Sequence, residues 1–227
     1  MKLDIKICGL STSEAIEAAV ANGATHVGFI FFSRSPRNVG IDVAAELADQ
    51  ARAGGLKTVA VTVDADDQFL DAVVAAVKPD ILQLHGKESP ERVAEVRAAF
   101  SLPVMKAFAI REATDLARCV PYLTAADRFL FDAKPPEGSD LPGGNGVSFD
   151  WKLLAALDGN VDYMLSGGLD PENVGEALKI SGARALDVSS GVESAPGVKD
   201  IEKIAAFVAA ARAAEADEAG ADDEQTG

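Results

Sequence analysis

The 227-residue chain has two cysteines and two histidines, too few for several kinds of site. Cys8 and Cys119 give no disulfide framework. His26 and His85, with no H-E-x-x-H or C-x-x-C spacing anywhere, give no metal-ligand set. Basic residues are also scarce: 21 Lys and Arg stand against 36 Asp and Glu, for a net charge of -15. Binding to nucleic acid or anionic membranes needs cations to neutralise phosphates, so both are excluded as expected partners. No apolar run nears the roughly 18 residues of a membrane span. No basic stretch followed by a long apolar segment opens the chain, so no secretory signal is expected. A soluble, cytoplasmic protein is the expectation.

Six acids stand in the stretch 213–227, which contains no Lys or Arg. That stretch lacks large apolar residues to offset its ordering entropy and is expected to be a disordered acidic tail. The rest, 1–212, shows no linker and reads as one domain.

What the chain has in quantity is alternation. Short apolar runs at 3–8, 25–31, 57–63, 81–84, 104–108, 128–132, 163–166 and 185–188 read as strands. Amphipathic segments follow them at 13–21, 42–52, 67–77, 90–99, weakly at 113–119, then at 149–156, 171–180 and 200–211. Ser13, Asp42 and Asp170 are placed to cap helices, and Pro90 and Pro171 suit first turns. Strands rich in Val, Ile and Phe, often apolar on both faces, are those of a parallel sheet covered by helices. Eight β-then-α units make a (β/α)8 TIM barrel of the α/β class. A doubly wound sheet is the alternative, but Gly9 alone does not supply its glycine-rich fingerprint.

A barrel of this kind keeps its active site at the carboxyl ends of its strands. The polar and glycine residues there are Cys8, Ser35 to Arg37, Gln83 to Gly86, Asp132, Pro142 to Gly146, Ser166 to Gly168 and Asp187 to Gly191. Gly167, Gly168, Ser189, Ser190 and Gly191 are placed to offer backbone N–H groups to a phosphate. Along the first strand Asp4, Lys6 and Cys8 share one face. A charged Lys6 inside a barrel needs a partner, for which Asp132 and Asp187 both qualify. Its ammonium is expected to lower the pKa of the Cys8 thiol. Each residue also has a plainer reading: Cys8 as a small buried apolar group, Asp132 as a cap, Arg37 as a loop residue, His85 as a structural histidine. Cys119, in the weak fifth segment, reads as non-functional.

Six segments, in order along the chain, resemble the phosphoribosylanthranilate isomerase family. They are Lys6-Ile7-Cys8-Gly9; Gly28-Phe29-Ile30-Phe31 with Ser35-Pro36-Arg37; Leu82-Gln83-Leu84-His85-Gly86; Gly143-Gly144-Asn145-Gly146 with Phe149-Asp150-Trp151; Ser166-Gly167-Gly168-Leu169; and Asp187-Val188-Ser189-Ser190-Gly191-Val192-Glu193 with Pro196-Gly197. The chain departs from the family pattern at Asn145, where Thr is expected, and at Ser166, where Ala is expected. The resemblance implies a cofactor-free Amadori rearrangement of a small phosphosugar-anthranilate substrate in tryptophan biosynthesis. It implies Cys8 as general base, Asp132 as general acid, and Arg37 as the group that holds the anthranilate carboxylate. Asp187 is implied at the sugar or amine nitrogen, with Gln83 and His85 at the edge of the site. The sequence is compatible with a monomer or a homodimer.

Overall fold

The computed structural model describes residues 2–134, 138, 143–157, 159 and 161–225, with Ala156 and 218–225 by backbone alone. Pro142, part of the expected glycine-rich loop, lies outside the described residues.

Eight parallel strands close into a barrel in chain order: β1 (Asp4–Cys8), β2 (His26–Phe31), β3 (Lys57–Thr62), β4 (Ile81–Leu84), β5 (Val104–Ile110), β6 (Arg128–Ala133), β7 (Tyr163–Leu165) and β8 (Ala185–Val188). Helices α1 (Ser13–Ala21), α2 (Ile41–Ala53), α3 (Asp67–Val77), α4 (Pro90–Phe100), α5 (Ala113–Leu116), α6 (Val174–Ser181) and α7 (Ile201–Gln225) connect or follow the strands. The alternation read from the sequence is therefore the (β/α)8 barrel.

Strand parity sorts the side chains into two cores. Ile5, Ile7, Val27, Phe29, Leu82 and Phe131 belong to the large cluster shared with the helices. Inside the barrel lie smaller groups, Cys8 with Val59 and Val61, and Met105 with Ala107, Leu130, Met164 and Ala185. Asp4, at the amino-terminal end of β1, accepts from Arg128.

The helix starts differ in detail from the sequence reading. Thr12, rather than Ser13, caps α1 and accepts from the Ala15 N–H. Asp42 lies within the first turn of α2, whose cap is Gly40. Asp170 accepts from the Glu172 and Asn173 N–H groups and so caps the turn before α6. The weak fifth segment is one turn of α5 followed by a 3-10 helix, Ala117–Tyr122, that accommodates Pro121. The expected helix at 149–156 is the 3-10 helix Trp151–Ala156. A hairpin absent from the sequence reading, β9 (Glu193–Ala195) with β10 (Val198–Lys199), follows β8.

The tail expectation needs correcting at its start. α7 continues past residue 212, and Glu215 accepts from the Leu3 N–H and from Arg212. Alanines with polar contacts at both ends of a turn suffice to continue a helix already anchored on the barrel. The side chains from 218 onward lie outside the described residues. No helix of the described residues is long and apolar enough to cross a membrane.

Candidate active site

A cleft of about 690 Å³, counting space open to solvent, sits at the carboxyl ends of the strands. Cys8, Arg37, His85, Asp132, Gly167, Gly168, Asp187, Ser189 and Ser190 line it, together with apolar Ile30, Phe32, Val61 and Val63. The structure thus brings together nearly every candidate from the sequence. Two do not line the cleft: Gln83, buried behind His85, and Gly191, packed against the Leu169 carbonyl.

Cys8 ends β1, and its strand partner is Gly28 on β2. A Cβ at Gly28 would stand 2.9 Å from the Cys8 sulfur and 3.1 Å from Lys6 Nζ, so a glycine is what leaves both side chains room inside the barrel. Gly9 has φ +77°, a backbone that L side chains rarely adopt, and lies against the stem of Arg37. The glycine after the thiol therefore admits the arginine.

Barrel closure decides the partner of Lys6. β8 pairs with β1, and Asp187 stands directly opposite Lys6. Lys6 Nζ, fully buried, donates to Asp187 Oδ1 at 2.8 Å. Asp187 Oδ2 accepts from Ser166 Oγ at 3.2 Å, so the serine that departs from the family pattern supplies a donor. Burial alone would push the Lys6 pKa down; Asp187, helped by Cys8, holds it above the ordinary value.

The expected lowering of the Cys8 pKa does not hold. Burial pushes the thiol up and outweighs the downward pull of Lys6, while Asp187 adds a further upward push. An ammonium already committed to a carboxylate is a weak activator of a third group.

Asp132, at the end of β6, accepts from the Ala133 N–H through Oδ1. Its Oδ2 lies 3.6 Å from His85 Nε2. His85 is held from behind by the Gln83 amide, 2.9 Å from Nδ1. Gly143 covers this pair: a Cβ there would come 2.4 Å from Asp132 Oδ2 and 2.8 Å from His85 Nε2.

Arg37 is buried and fixed. Its Nε donates to Glu193 Oε1 at 2.7 Å and its Nη2 to Glu193 Oε2 at 2.9 Å, with Gly144 O at 3.3 Å from Nη2. Gly144 has φ +71°, and its absent Cβ would lie 2.6 Å from Nη1. The glycine thereby leaves room for Nη1, the guanidinium nitrogen that does not bond Glu193.

The loops after β7 and β8 interlock. A Cβ on Gly167 would meet the Ala133 N–H at 2.4 Å, one on Gly168 the Val147 carbonyl carbon at 2.7 Å, and one on Gly191 the Leu169 carbonyl oxygen at 1.9 Å. Ser189 Oγ donates to the Cys8 carbonyl, tying this loop to the thiol's strand. Such a glycine-lined concavity is suited to an anion approached by backbone N–H groups.

Sequence reasoning missed two residues, Glu193 and Lys199. Glu193 stood within a recognised segment without a role. Lys199 Nζ, equally buried, donates to Glu193 Oε1 and to the Ser189 carbonyl, both at 2.8 Å. The available signal was the Pro196-Gly197 turn, which folds Lys199 back beside Glu193. Cys119 is buried away from the cleft and its thiol donates to the Leu116 carbonyl.

A closed (β/α)8 barrel with a thiol, a carboxyl and a glycine-lined cradle around one cleft at its strand ends has the build of the barrel isomerases. The sequence profile described as N-(5'-phosphoribosyl)anthranilate (PRA) isomerase matches residues 5–210, and the chain belongs to that family. Among its relatives, the N-(5'-phosphoribosyl)anthranilate isomerase of Sinorhizobium fredii is 67% identical over 216 residues, covering 95% of this chain and 96% of that protein. The enzyme of Rhizobium meliloti is 64% identical, covering 95% and 100%. The crystal structure of the Thermotoga maritima phosphoribosyl anthranilate isomerase superposes with a TM-score of 0.83 at 32% identity, over 93% of this chain and 99% of that one. A phosphoribosyl anthranilate isomerase solved with reduced 1-(o-carboxyphenylamino)-1-deoxyribulose 5-phosphate superposes with a TM-score of 0.81 at 30% identity, over 93% and 99%.

Proposed function

We propose that Cys8 and Asp132 are the general base and general acid of this isomerase. The chain is an N-(5'-phosphoribosyl)anthranilate isomerase of tryptophan biosynthesis, acting on a small phosphosugar. The reaction turns N-(5-phosphoribosyl)anthranilate into 1-(2-carboxyphenylamino)-1-deoxyribulose 5-phosphate. The observation that carries the assignment is a buried thiol on β1 and a buried carboxyl on β6 lining one cleft, together with an arginine and the glycine cradle.

Asp132 gives a proton to the furanose ring oxygen as the bond from that oxygen to C1 breaks, with the amine nitrogen's lone pair forming the Schiff base. Cys8, as thiolate, takes the proton from C2, and the electron pair of that bond neutralises the Schiff base to an enolamine. Protonation at C1 and loss of the O2 proton give the ketone. Only protons move, so an acid and a base suffice, and no cofactor is called for. The acid–base pair needs one proton, on the carboxyl. Burial makes the thiolate scarce but strongly basic, which suits a weak carbon acid.

Arg37 takes the anthranilate carboxylate, for which a planar fork is suited. Gly167, Gly168, Ser189, Ser190 and Gly191 take the phosphate. Asp187, held by Lys6 and Ser166, faces the sugar or the amine nitrogen. His85 orients Asp132, and Gln83 orients His85. The catalytic domain is residues 1–212 together with the turn beyond it that carries Glu215, which accepts from the Leu3 N–H, and the enzyme works in the cytoplasm.

Turnover of the purified protein with N-(5-phosphoribosyl)anthranilate tests the reading. Cys8→Ala is expected to lower kcat by about 10²–10⁴-fold while inorganic phosphate still inhibits competitively. Undiminished turnover in that variant removes the base assignment.

A further inference from the structure

Outside the residues assigned above, the most unusual group is the buried charge cluster on the hairpin β9–β10. Glu193 takes four donors. Arg37 Nε and Lys199 Nζ share Oε1, and Arg37 Nη2 and the Gly197 N–H share Oε2. The side chains of Arg37, Glu193 and Lys199 are 5%, 4% and 4% exposed. Two buried cations thus share one buried carboxylate, and the cluster is one anion short. An uncompensated buried charge is costly unless a ligand supplies its partner. The guanidinium corner left over, Nη1, lies against Gly144 at the cleft wall and has no hydrogen-bond partner among the described residues.

The cluster also reaches the loop after β8. Lys199 Nζ donates to the carbonyl and Oγ of Ser189, and Ser189 Oγ donates to the Cys8 carbonyl. The hairpin's turn is pressed onto the loop that carries the arginine: Gly197, at φ +82°, leaves no room for a Cβ beside the Pro36 carbonyl, 2.4 Å away. Lys203 fixes the hairpin from outside by donating to the Glu193 carbonyl. One carboxylate and one ammonium therefore tie the arginine to the Ser189 loop of the cradle.

We infer that Glu193 and Lys199 are a positioning pair that fixes the separation between Arg37 and the loop of Ser189 to Gly191, and thereby select substrates bearing an anionic group at each end. This rests on the function proposed above and deepens it. Neither residue touches the reacting atoms. Glu193 makes Arg37 a rigid receptor that presents its free corner to the substrate carboxylate. Lys199 sets the depth of the phosphate loop relative to that receptor. Preorganisation of this kind lowers the ordering cost of binding rather than the chemical barrier.

The test compares wild type, Glu193→Gln and Lys199→Met. The readouts are steady-state kinetics with N-(5-phosphoribosyl)anthranilate and binding of two probes: the reduced product, 1-(2-carboxyphenylamino)-1-deoxyribitol 5-phosphate, and its phenylamino counterpart without the carboxylate. For Glu193→Gln we expect KM to rise about tenfold or more, in line with loss of charge-assisted hydrogen bonds, while kcat changes far less. The wild-type preference for the carboxylated probe should shrink by a similar factor. In Lys199→Met both probes should weaken together and inorganic phosphate should inhibit less well. A Glu193→Gln enzyme that keeps its preference for the carboxylated probe overturns the inference, as does equal weakening of both probes in that variant. Should Glu193→Gln fail to fold, Lys199→Met alone decides: unchanged phosphate inhibition and KM overturn it. Wild type that binds both probes but does not turn over the substrate would instead defeat the functional reading.

Discussion

At the scale of single residues, Lys6 and Asp187 show how one buried pair governs a neighbour's chemistry. Each carries its opposite charge inside the barrel, and each is a cost without the other. Lys6→Met is therefore expected to reduce unfolding free energy by about 3–5 kcal/mol, the usual penalty for stranding one member of a buried pair. Denaturant unfolding measures it. The same variant should titrate its Cys8 thiol still higher than wild type, because the stronger of the two cations pulling it down, Lys6 and Lys199, is gone; thiolate absorbance against pH reads this. The inward face of Asp4, Lys6 and Cys8 was legible from strand parity alone. The choice between Asp132 and Asp187 was not, because it depends on the register of the last strand against the first. Nor was the balance at the thiol legible, since a sequence shows a lysine two residues away but not how little water reaches either group.

Among elements, the strands and most helices were legible because each carries its own periodicity and stop signals. The hairpin β9–β10 was not, since strands of two and three residues have no period to read. That is why Glu193 and Lys199, the residues it carries, escaped notice. The glycines of the cradle were read as places where backbone N–H groups reach a phosphate, and the structure adds a steric reason for them. Gly191 sits so close to Leu169 that a methyl group there cannot be accommodated without moving backbone. Gly191→Ala should destabilise the fold by about 1–3 kcal/mol, as overpacking does, and raise KM for the phosphorylated substrate. Gly175→Ala, inside α6 with only the Ala214 Cβ within 4 Å of the added methyl, at 3.7 Å, is the matching control and should neither destabilise the fold nor raise KM. Thermal melts and substrate titrations of the two variants check this.

Taken whole, the molecule has a polar end and a chemical end. At the amino-terminal end of the barrel His26 is buried beside Thr25, and its pKa is lowered from 6.5 to about 4. Burial is the main cause; Asp4 pulls the other way, and Lys57, Arg128 and Lys6 add to the depression. The unfolded chain takes up this proton first, so stability is fully present above about pH 6.5 and is lost as pH falls towards 4. The loss attributable to His26 is on the order of 3 kcal/mol. Unfolding free energy measured across that range should flatten in His26→Gln. Glu193 adds a further loss below the ordinary carboxylate range. Burial would raise its pKa, but Arg37 and Lys199 hold it down, so its contribution vanishes only as pH falls through that lowered value.

The pairing of β8 with β1 also has a consequence for the order in which the chain comes into being. During synthesis β1 emerges before the other barrel strands, yet the neighbour that covers its second edge is the last barrel strand to emerge. Until then the nascent protein carries an open parallel sheet with an unpaired edge at each side, a template for mispairing. The thiol-bearing strand is one of those edges. Only when β8 is added does Lys6 meet Asp187, and only when α7 follows does Arg212 reach the Leu3 and Gly23 carbonyls and lock the seam. The seam of the cylinder is also the strand that carries the thiol, so the ribosome has to deliver all eight barrel strands before the cleft can be assembled.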